Sequence, residues 1–319
     1  MWRSSSLPLA VAAGAVTIGA LSIRRFSASS LSHVSRRPPG RIGDLLSSLE
    51  TPCLLVDLDA LEANLKRLPA SLQSSPHVAI RPHAKAHKSS RVGQLQMQMP
   101  QTVGLCCQKV GEAEAMFNGG IKDLLLSNEV YGLERYERMA ALVQGGAKVT
   151  LIFDNFETVE QAAQVAKARN VQFRALVEVN VGQDRCGVDT VEEAVELAKK
   201  IDSYSQLELI GIQAYHGAAQ HIRSYDEKKK VIEKVAEKAK SVRDALRTED
   251  LKCDVVTGGG TGTYLMEAAS GVFTEVQPGS YVFNDADYAK NLGEDKEFVK
   301  DWEQSLLCRS IRDHLLFIH

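Results

Sequence analysis

Arg81-Pro82-His83-Ala84-Lys85-Ala86-His87-Lys88 gathers two imidazoles, two lysines and an arginine directly after the short run Val78-Ala79-Ile80. Pro76 and Pro82 bracket that run and bias their neighbours toward extended backbone, so it reads as a buried strand that stops at Pro82. Lys85 then stands just past a strand's C-terminal end, among imidazoles and cations that disfavour its own charge. That is a position and a company suited to a nucleophilic amine. A solvated basic loop would have the same composition, so the rest of the chain has to decide.

The second chemically suggestive stretch is Gly258-Gly259-Gly260-Thr261-Gly262-Thr263-Tyr264, entered from Val255-Val256-Thr257. Consecutive glycines let several backbone N–H groups turn toward one anion, and Thr261 and Thr263 add hydroxyl donors, so a phosphate is the natural guest. The spacing is neither a Walker loop nor a clear G-x-G-x-x-G with a downstream acidic ribose ligand. A flexible hinge is the plainer reading, although two threonines and a tyrosine are poor flexible filler. Gln277-Pro278-Gly279-Ser280-Tyr281 would complete the cradle. A reactive lysine facing a phosphate site suggests pyridoxal phosphate, whose aldehyde must reach an amine while its phosphate is anchored. An aldolase that forms a Schiff base with a sugar phosphate would ask for the same two parts.

These stretches are positioned by a rhythm of apolar strand, polar turn and helical-period segment. The spacing predicts a first strand over Thr51–Val56, then a helix capped by Asp57 or Asp59 and carried by Leu61, Leu65 and Leu68. Eight further strands are predicted over 78–81, 103–106, 123–127, 149–153, 175–181, 207–215, 254–257 and 273–276. Helices are predicted over Gly111–Asn118, ended by Gly119-Gly120, over Asn155–Arg169 with Asp154 as cap, and over Asp226–Arg247. In the last, Lys228-Lys229-Lys230 reads as a wet face, with Val231, Val235 and Ala239 turned inward. The fold class is α/β, a (β/α)8 barrel, with a doubly wound open sheet as runner-up because periodicity does not give strand order. Lys85, Asn128-Glu129, Asp154-Asn155, Asp184-Arg185, Tyr215-His216 and the glycine run all fall at strand C-termini. In a barrel that is the rim where catalysis is placed.

Composition limits the alternatives. The chain has 319 residues, 44% hydrophobic and 24% charged, enough for a full-sized core, and its net charge of -2 argues against a nucleic-acid partner. Six cysteines without a CxxC pair read most simply as reduced and buried, with Cys106-Cys107 able to line a site. Residues 1–43 are a different material: arginine- and serine-rich, with no acidic residue before Asp44. That is the composition of an organelle transit peptide, and Arg24-Arg25-Phe26-Ser27 resembles a mitochondrial processing site. A plastid address and a membrane anchor over Leu7–Ile23 are the alternatives. The expected domains are therefore 1–43 for targeting, 44–295 for the barrel and 296–319 for the remainder.

Taken together, Arg81–Lys88, Gly104–Val110, Leu126–Val130, Val177–Val188, Gln213–Gly217 with Gln220-His221, Gly258–Gly262 and Thr274–Tyr288 resemble the D-threonine aldolase and D-serine dehydratase family. These are fold-type III pyridoxal phosphate enzymes with an alanine-racemase-like barrel, and the resemblance runs from about Thr51 to about Leu307. It implies Lys85 as the lysine that condenses with the cofactor and Arg185 beside the cofactor's phenolic oxygen. Tyr215 would stand near the ring, and Gly260, Thr261, Gly262, Gly279, Ser280 and Tyr281 around the phosphate. His221 would face the β-hydroxyl of a D-amino acid substrate. The implied reaction is cleavage of D-threonine-like substrates to glycine and an aldehyde, with D-serine dehydration to pyruvate and ammonia as the nearest rival. A cofactor-binding form without activity is the third reading. The resemblance further implies a homodimer, and a divalent metal, manganese or zinc, held in a second, mostly β domain by a histidine with an aspartate or cysteine. Trp302–Leu307 would begin that domain, while Asp313 and His314 read as an ordinary polar tail.

Overall fold

The computed structural model describes residues 40–310 and, as backbone, Leu315–Phe317. Residues 1–39 of the expected targeting segment, which include the Leu7–Ile23 run, and Asp313 and His314 lie outside the described residues. The chain divides into two compact units, Met1–Glu50 and Thr51–His319. In the first, the described part holds one short 3-10 turn, Leu46–Ser48, with no buried residue. Everything below concerns the second unit.

Eight parallel strands form one sheet: β2 (Ala79–Ile80), β3 (Leu105–Cys107), β4 (Asp123–Leu126), β5 (Lys148–Phe153), β6 (Phe173–Glu178), β7 (Leu207–Gln213), β8 (Val255–Gly258) and β9 (Glu275–Val276). Their spatial order is β2-β9-β8-β7-β6-β5-β4-β3, which is chain order read around a circle. Parallel bridges Ile80↔Thr102 and His83↔Cys106 join β2 to the β3 side. Sequential order with joined ends is a barrel, and the doubly wound alternative falls, because an open sheet of that kind reverses its order at a switch point. Each expected barrel strand is present. β6, β7 and β9 carry fewer laddered residues at one end than the periodicity suggests.

The helices are α1 (Leu58–Ser71), α2 (Ser90–Gln96), α3 (Val110–Asn118), α4 (Leu133–Gln144), α5 (Phe156–Arg169), α6 (Val191–Asp202), α7 (Tyr225–Thr248) and α8 (Tyr264–Ala269). Asp57 caps α1 by accepting from the Ala60 N–H. The cap of α5 is Asn155, which accepts from Thr158 N–H at 3.0 Å; Asp154, the expected cap, instead takes the Asn155 side-chain amide. No helix among the described residues is long and apolar enough to cross a membrane.

Alternation along the strands separates two layers. Leu105, Leu124, Leu126, Val149, Leu151, Phe153, Ala175, Val177 and Val256 belong to the large core between sheet and helices. Cys106, Leu125, Ile152, Leu176 and Ile210 form a small separate cluster, the alternate set that points into the barrel. A ladder irregularity falls between Ala175 and Leu176 opposite Gly211, whose φ is +152°, and a Cβ on Gly211 would lie 1.8 Å from Val255 O. Only glycine lets β7 approach β8 there. Before the barrel, β1 (Cys53–Val56) pairs antiparallel with β10 (Leu306–Arg309), and β10 with β11 (Leu315–Phe317). The residues expected to open the second domain therefore return to the strand that precedes the barrel.

Candidate active site

Lys85 lies in the short 3-10 turn Ala84–Ala86 that follows β2. The chain entering the turn is pinned, by His83 N–H to Pro278 O at 3.1 Å and by Cys106 N–H to Pro82 O at 2.9 Å. The His83 ring holds the turn from below: its Nδ1 accepts from the Lys85 N–H at 3.2 Å, which leaves the proton on Nε2 to donate to Ser127 Oγ at 2.8 Å. Burial, and then Lys85 and His87, push the His83 pKa well below the usual imidazole value, so the ring is neutral in the role this geometry requires. His87 is likewise a structural donor, to Gln96 Oε1 at 3.1 Å, and Gln96 in turn donates to the Tyr281 hydroxyl at 3.2 Å.

The Lys85 side chain is open to water at the mouth but walled by protein, and partial desolvation, then the Arg185 cation, lower its pKa. Its Nζ stands 5.5 Å from the centroid of the Tyr215 ring, and the Arg185 guanidinium carbon stands 5.9 Å from the same centroid. Tyr215 follows β7. Burial is the first reason that its phenol is pushed above the usual range. Beside it, His216 is buried and its Nδ1 accepts from Ala219 N–H at 3.1 Å, a backbone-satisfied histidine. Glu129 and Arg185 flank Cys186, whose thiol is pushed up to about 11 by burial first and Glu129 next.

The glycine run lies against the loop after β9, the stretch expected to complete a cradle, and Thr261 is the clasp between them. Thr261 Oγ1 accepts from Gly279 N–H at 3.1 Å and Tyr281 N–H at 3.2 Å, locking the loop after β8 to the loop after β9. Gln220 supports it from the β7 side, accepting from Gly262 N–H at 2.8 Å and donating to Thr263 Oγ1 at 2.8 Å. Among the described residues, the N–H groups of Thr261 and Ser280 have no hydrogen-bond partner. A Cβ on Gly260 would lie 2.6 Å from Gln220 Oε1 and 3.0 Å from the Tyr215 hydroxyl. A Cβ on Gly279 would lie 3.1 Å from His83 O. The cradle thus touches both Tyr215 and the turn that carries Lys85, close enough for one small cofactor to span amine and cradle. Two free amides, a reactive amine and an aromatic face between them fit pyridoxal phosphate.

His221 and Arg223, after β7, form a second cluster with Asp287, after β9. His221 Nδ1 is 2.6 Å from Asp287 Oδ2, and Arg223 reaches Asp287 Oδ1 at 2.6 Å and Asn291 Oδ1 at 2.8 Å. The Asp287 carboxyl is held down to about 2, by the Arg223 hydrogen bond first and His221 second. Tyr288 packs edge-on against the His221 ring at 5.5 Å. Asp287 and Arg223 were not singled out by sequence reasoning, since an Asp-rich turn and an arginine after a histidine look like ordinary surface. For a metal, no group of three or more His, Cys, Asp or Glu side chains converges among the described residues, so no ligand set is available here on which to build a step.

Sequence reasoning also missed a polar chain that crosses the barrel interior. Arg81, nearly buried, donates to Glu275 at 2.9 Å and Asp123 at 2.7 Å, and Arg174 also reaches Asp123 at 2.6 Å. Burial opposes the Arg81 charge, but the two carboxylates outweigh it and hold its pKa above the usual value. Thr257 donates to Glu275, Gln277 to Thr257 and Gln213, and Gln213 to Glu178. Glu178 is pushed well above the usual carboxyl range by burial and then by Glu129.

Comparison with known proteins agrees with this geometry. The family described as alanine racemase, N-terminal domain, matches residues 56–287. The chain is 40% identical over 271 residues to 3-hydroxy-D-aspartate aldolase of Paracoccus denitrificans, covering 84% of this chain and 70% of that protein. It is 41% identical over 254 residues to D-threonine aldolase of an Arthrobacter species, covering 80% and 66% respectively. The crystal structure of D-threonine aldolase from Filomicrobium marinum superposes with a TM-score of 0.80 at 38% identity, over 85% of this chain and 72% of that one. The chain belongs to the alanine racemase N-terminal domain family, among its pyridoxal phosphate-dependent, aldolase-like lyases.

Proposed function

We propose that the protein cleaves the Cα–Cβ bond of β-hydroxy-D-amino acids of the D-threonine kind, giving glycine and an aldehyde. The observation that carries this reading is the placement of Lys85 and the Gly260–Gly262 cradle against the same tyrosine, Tyr215. When bound, pyridoxal phosphate supplies an aldehyde for the amine and a ring that draws off the electron pair freed at Cα. The chain's residues do the rest. Lys85, its charge disfavoured by desolvation and Arg185, presents a free amine at the mouth. The Thr261 and Ser280 amides, fixed by the Thr261 clasp, receive the phosphate. The Tyr215 face and the Arg185 guanidinium hold the ring plane and its phenolic side.

The proton of the β-hydroxyl needs an acceptor. With Nδ1 turned to Asp287, His221 keeps Nε2 available, and the carboxylate fixes the ring's orientation. The relatives named for 3-hydroxy-D-aspartate and for D-threonine bracket the substrate class, a D-amino acid with a hydroxyl on Cβ.

The test is reconstitution with pyridoxal phosphate, a visible spectrum, and product analysis with D-threonine, with and without added Mn²⁺ or Zn²⁺. The expected outcome is a visible band that Lys85→Ala abolishes, and glycine with acetaldehyde in equal amounts. Pyruvate and ammonia from D-serine in their place would make it a dehydratase. A band without turnover of any β-hydroxy-D-amino acid would leave a cofactor binder and overturn the proposal.

A further inference from the structure

One cavity, about 630 Å³, does not lie at the barrel mouth. It runs between α7, α8 and the segment from Asn284 to Trp302, with Thr261, Gly262 and Thr263 forming its inner end behind the cradle. Its size is that of a small-molecule site, roughly 300 to 1,000 Å³ in proteins generally. Ile232, Tyr264, Met266 and Trp302 give it an apolar and aromatic body.

One wall residue is out of keeping with that body. Lys228 is only 3% exposed, although the sequence places it in a run of three lysines that reads as a wet face. Its side chain makes no hydrogen bond and no ion pair among the described residues. Arg223 is already engaged by Asp287 and adds to the repulsion at Lys228. Glu267, the carboxylate that favours the Lys228 charge, acts from beyond ion-pairing distance, donates nothing and keeps one buried oxygen, Oε2, without a partner. An ammonium held partly out of water without a close counter-charge is disfavoured, and that cost falls when an anion arrives.

We propose that this cavity is a second small-molecule site, separate from the barrel mouth, for an aromatic or branched aliphatic monocarboxylate. The carboxylate sits on Lys228 and the apolar body lies against Ile232, Tyr264 and Trp302. The chemistry of the walls selects that class: Lys228 is the one buried lysine of the lining, Lys229 and Lys240 being exposed at its edge, so one negative charge is met inside, and the aromatic lining favours a flat or bulky apolar remainder. Two negative charges would meet Glu233, Glu237 and Asp301 at the rim.

The probe is 2-naphthoate, titrated by calorimetry into the full chain saturated with pyridoxal phosphate so that the mouth is occupied. Its neutral analogue 2-naphthylmethanol serves as reference. Saturable binding at one site is expected, with naphthoate at least about tenfold tighter than the alcohol, as a charge-assisted contact provides. In Lys228→Met, an apolar replacement of similar length that relieves the buried charge and so keeps the fold, the preference should vanish while the alcohol binds as before. Ala269→Trp, which fills the cavity from its exposed edge, should remove both. Equal affinities for acid and alcohol in the unsubstituted protein, or a preference retained in Lys228→Met, would overturn the proposal. The titration reads binding alone, so it stands or falls independently of whether the chain cleaves any amino acid.

Discussion

Lys85 Nζ lies 5.5 Å from the centre of the Tyr215 ring, and the two residues come from strands separated in the sheet by β9 and β8, one after β2 and the other after β7. Two positions 130 residues apart in sequence (215 − 85) become neighbours because the sheet closes. The Arg185 guanidinium, after β6, shares the same ring at 5.9 Å. Amine and guanidinium over one aromatic face make Arg185 an electrostatic governor of Lys85.

The first prediction follows from that relationship. Desolvation and then Arg185 lower the Lys85 pKa, so removing the cation should let it rise. In Arg185→Met, the pH at which capture of pyridoxal phosphate reaches half its maximal rate should move upward, because a larger share of the amine is protonated at any given pH. Stopped-flow absorbance between pH 6 and about 10.4, the ordinary lysine value, reads it directly. An unchanged midpoint would show that Arg185 does not set the amine's charge.

How much of this was legible beforehand differs by element. The eight strands were readable because apolar outer positions recur wherever a helix covers the sheet, as at Leu124 and Leu126 or Val149 and Leu151. Their ends were less so. Tyr215 and Val181 continue the apolar pattern past the last ladder partner, since a rim residue can be extended and partly buried without belonging to the sheet. The polar interior was hidden by the same alternation: Arg174, Glu178, Thr257 and Glu275 occupy every second position, which in a sequence looks like a solvent face. Lys228 was concealed by its neighbours, although its spacing to Ile232 and Val235 puts it on the buried side of α7.

A second prediction concerns that interior. Arg81 is held between Glu275 and Asp123 with its side chain 7% exposed. Arg81→Met leaves Glu275 without its cation and Asp123 with Arg174 alone, and breaking a buried pair in this way costs about 3–5 kcal/mol. Urea unfolding should show a loss of that size. The companion Glu275→Gln, which keeps a hydrogen-bond acceptor for Arg81 and Thr257, should cost less.

A third prediction concerns targeting. Residues 1–43, arginine-rich and free of acidic side chains, are proposed as an import signal. Fused to a fluorescent protein, they should direct it to mitochondria, and replacing Arg24 and Arg25 by alanine should stop processing. Plastid import, or retention in a membrane fraction resistant to carbonate, would instead support the alternatives.

Glu267 supplies the last. Its Oε1 accepts from Thr263 at 2.8 Å, and Thr263 in turn receives the Gly260 N–H and the Gln220 amide, so this carboxyl stands directly behind the phosphate cradle. Burial raises its pKa from 4.5 to about 7, the Thr263 hydrogen bond only partly opposing the shift. The sign follows from proton binding: between those two values the folded protein holds a proton that the unfolded chain has released, so stability falls as pH rises from 4.5 toward 7. The full loss attributable to this group is about 3 kcal/mol, one pKa unit being about 1.4 kcal/mol. Above pH 7 the carboxylate is ionised in both states and the decline ends. Glu267→Gln carries no such proton, and its unfolding free energy should be flatter across the window while the native chain declines. The same substitution leaves a neutral amide behind the cradle, so pyridoxal phosphate should bind it at pH 8 at least as tightly as it binds the native chain, where an anion stands behind the bound phosphate. Weaker binding with a flat stability profile would mean that the Thr263 hydrogen bond, not the charge, is what Glu267 contributes to the cradle.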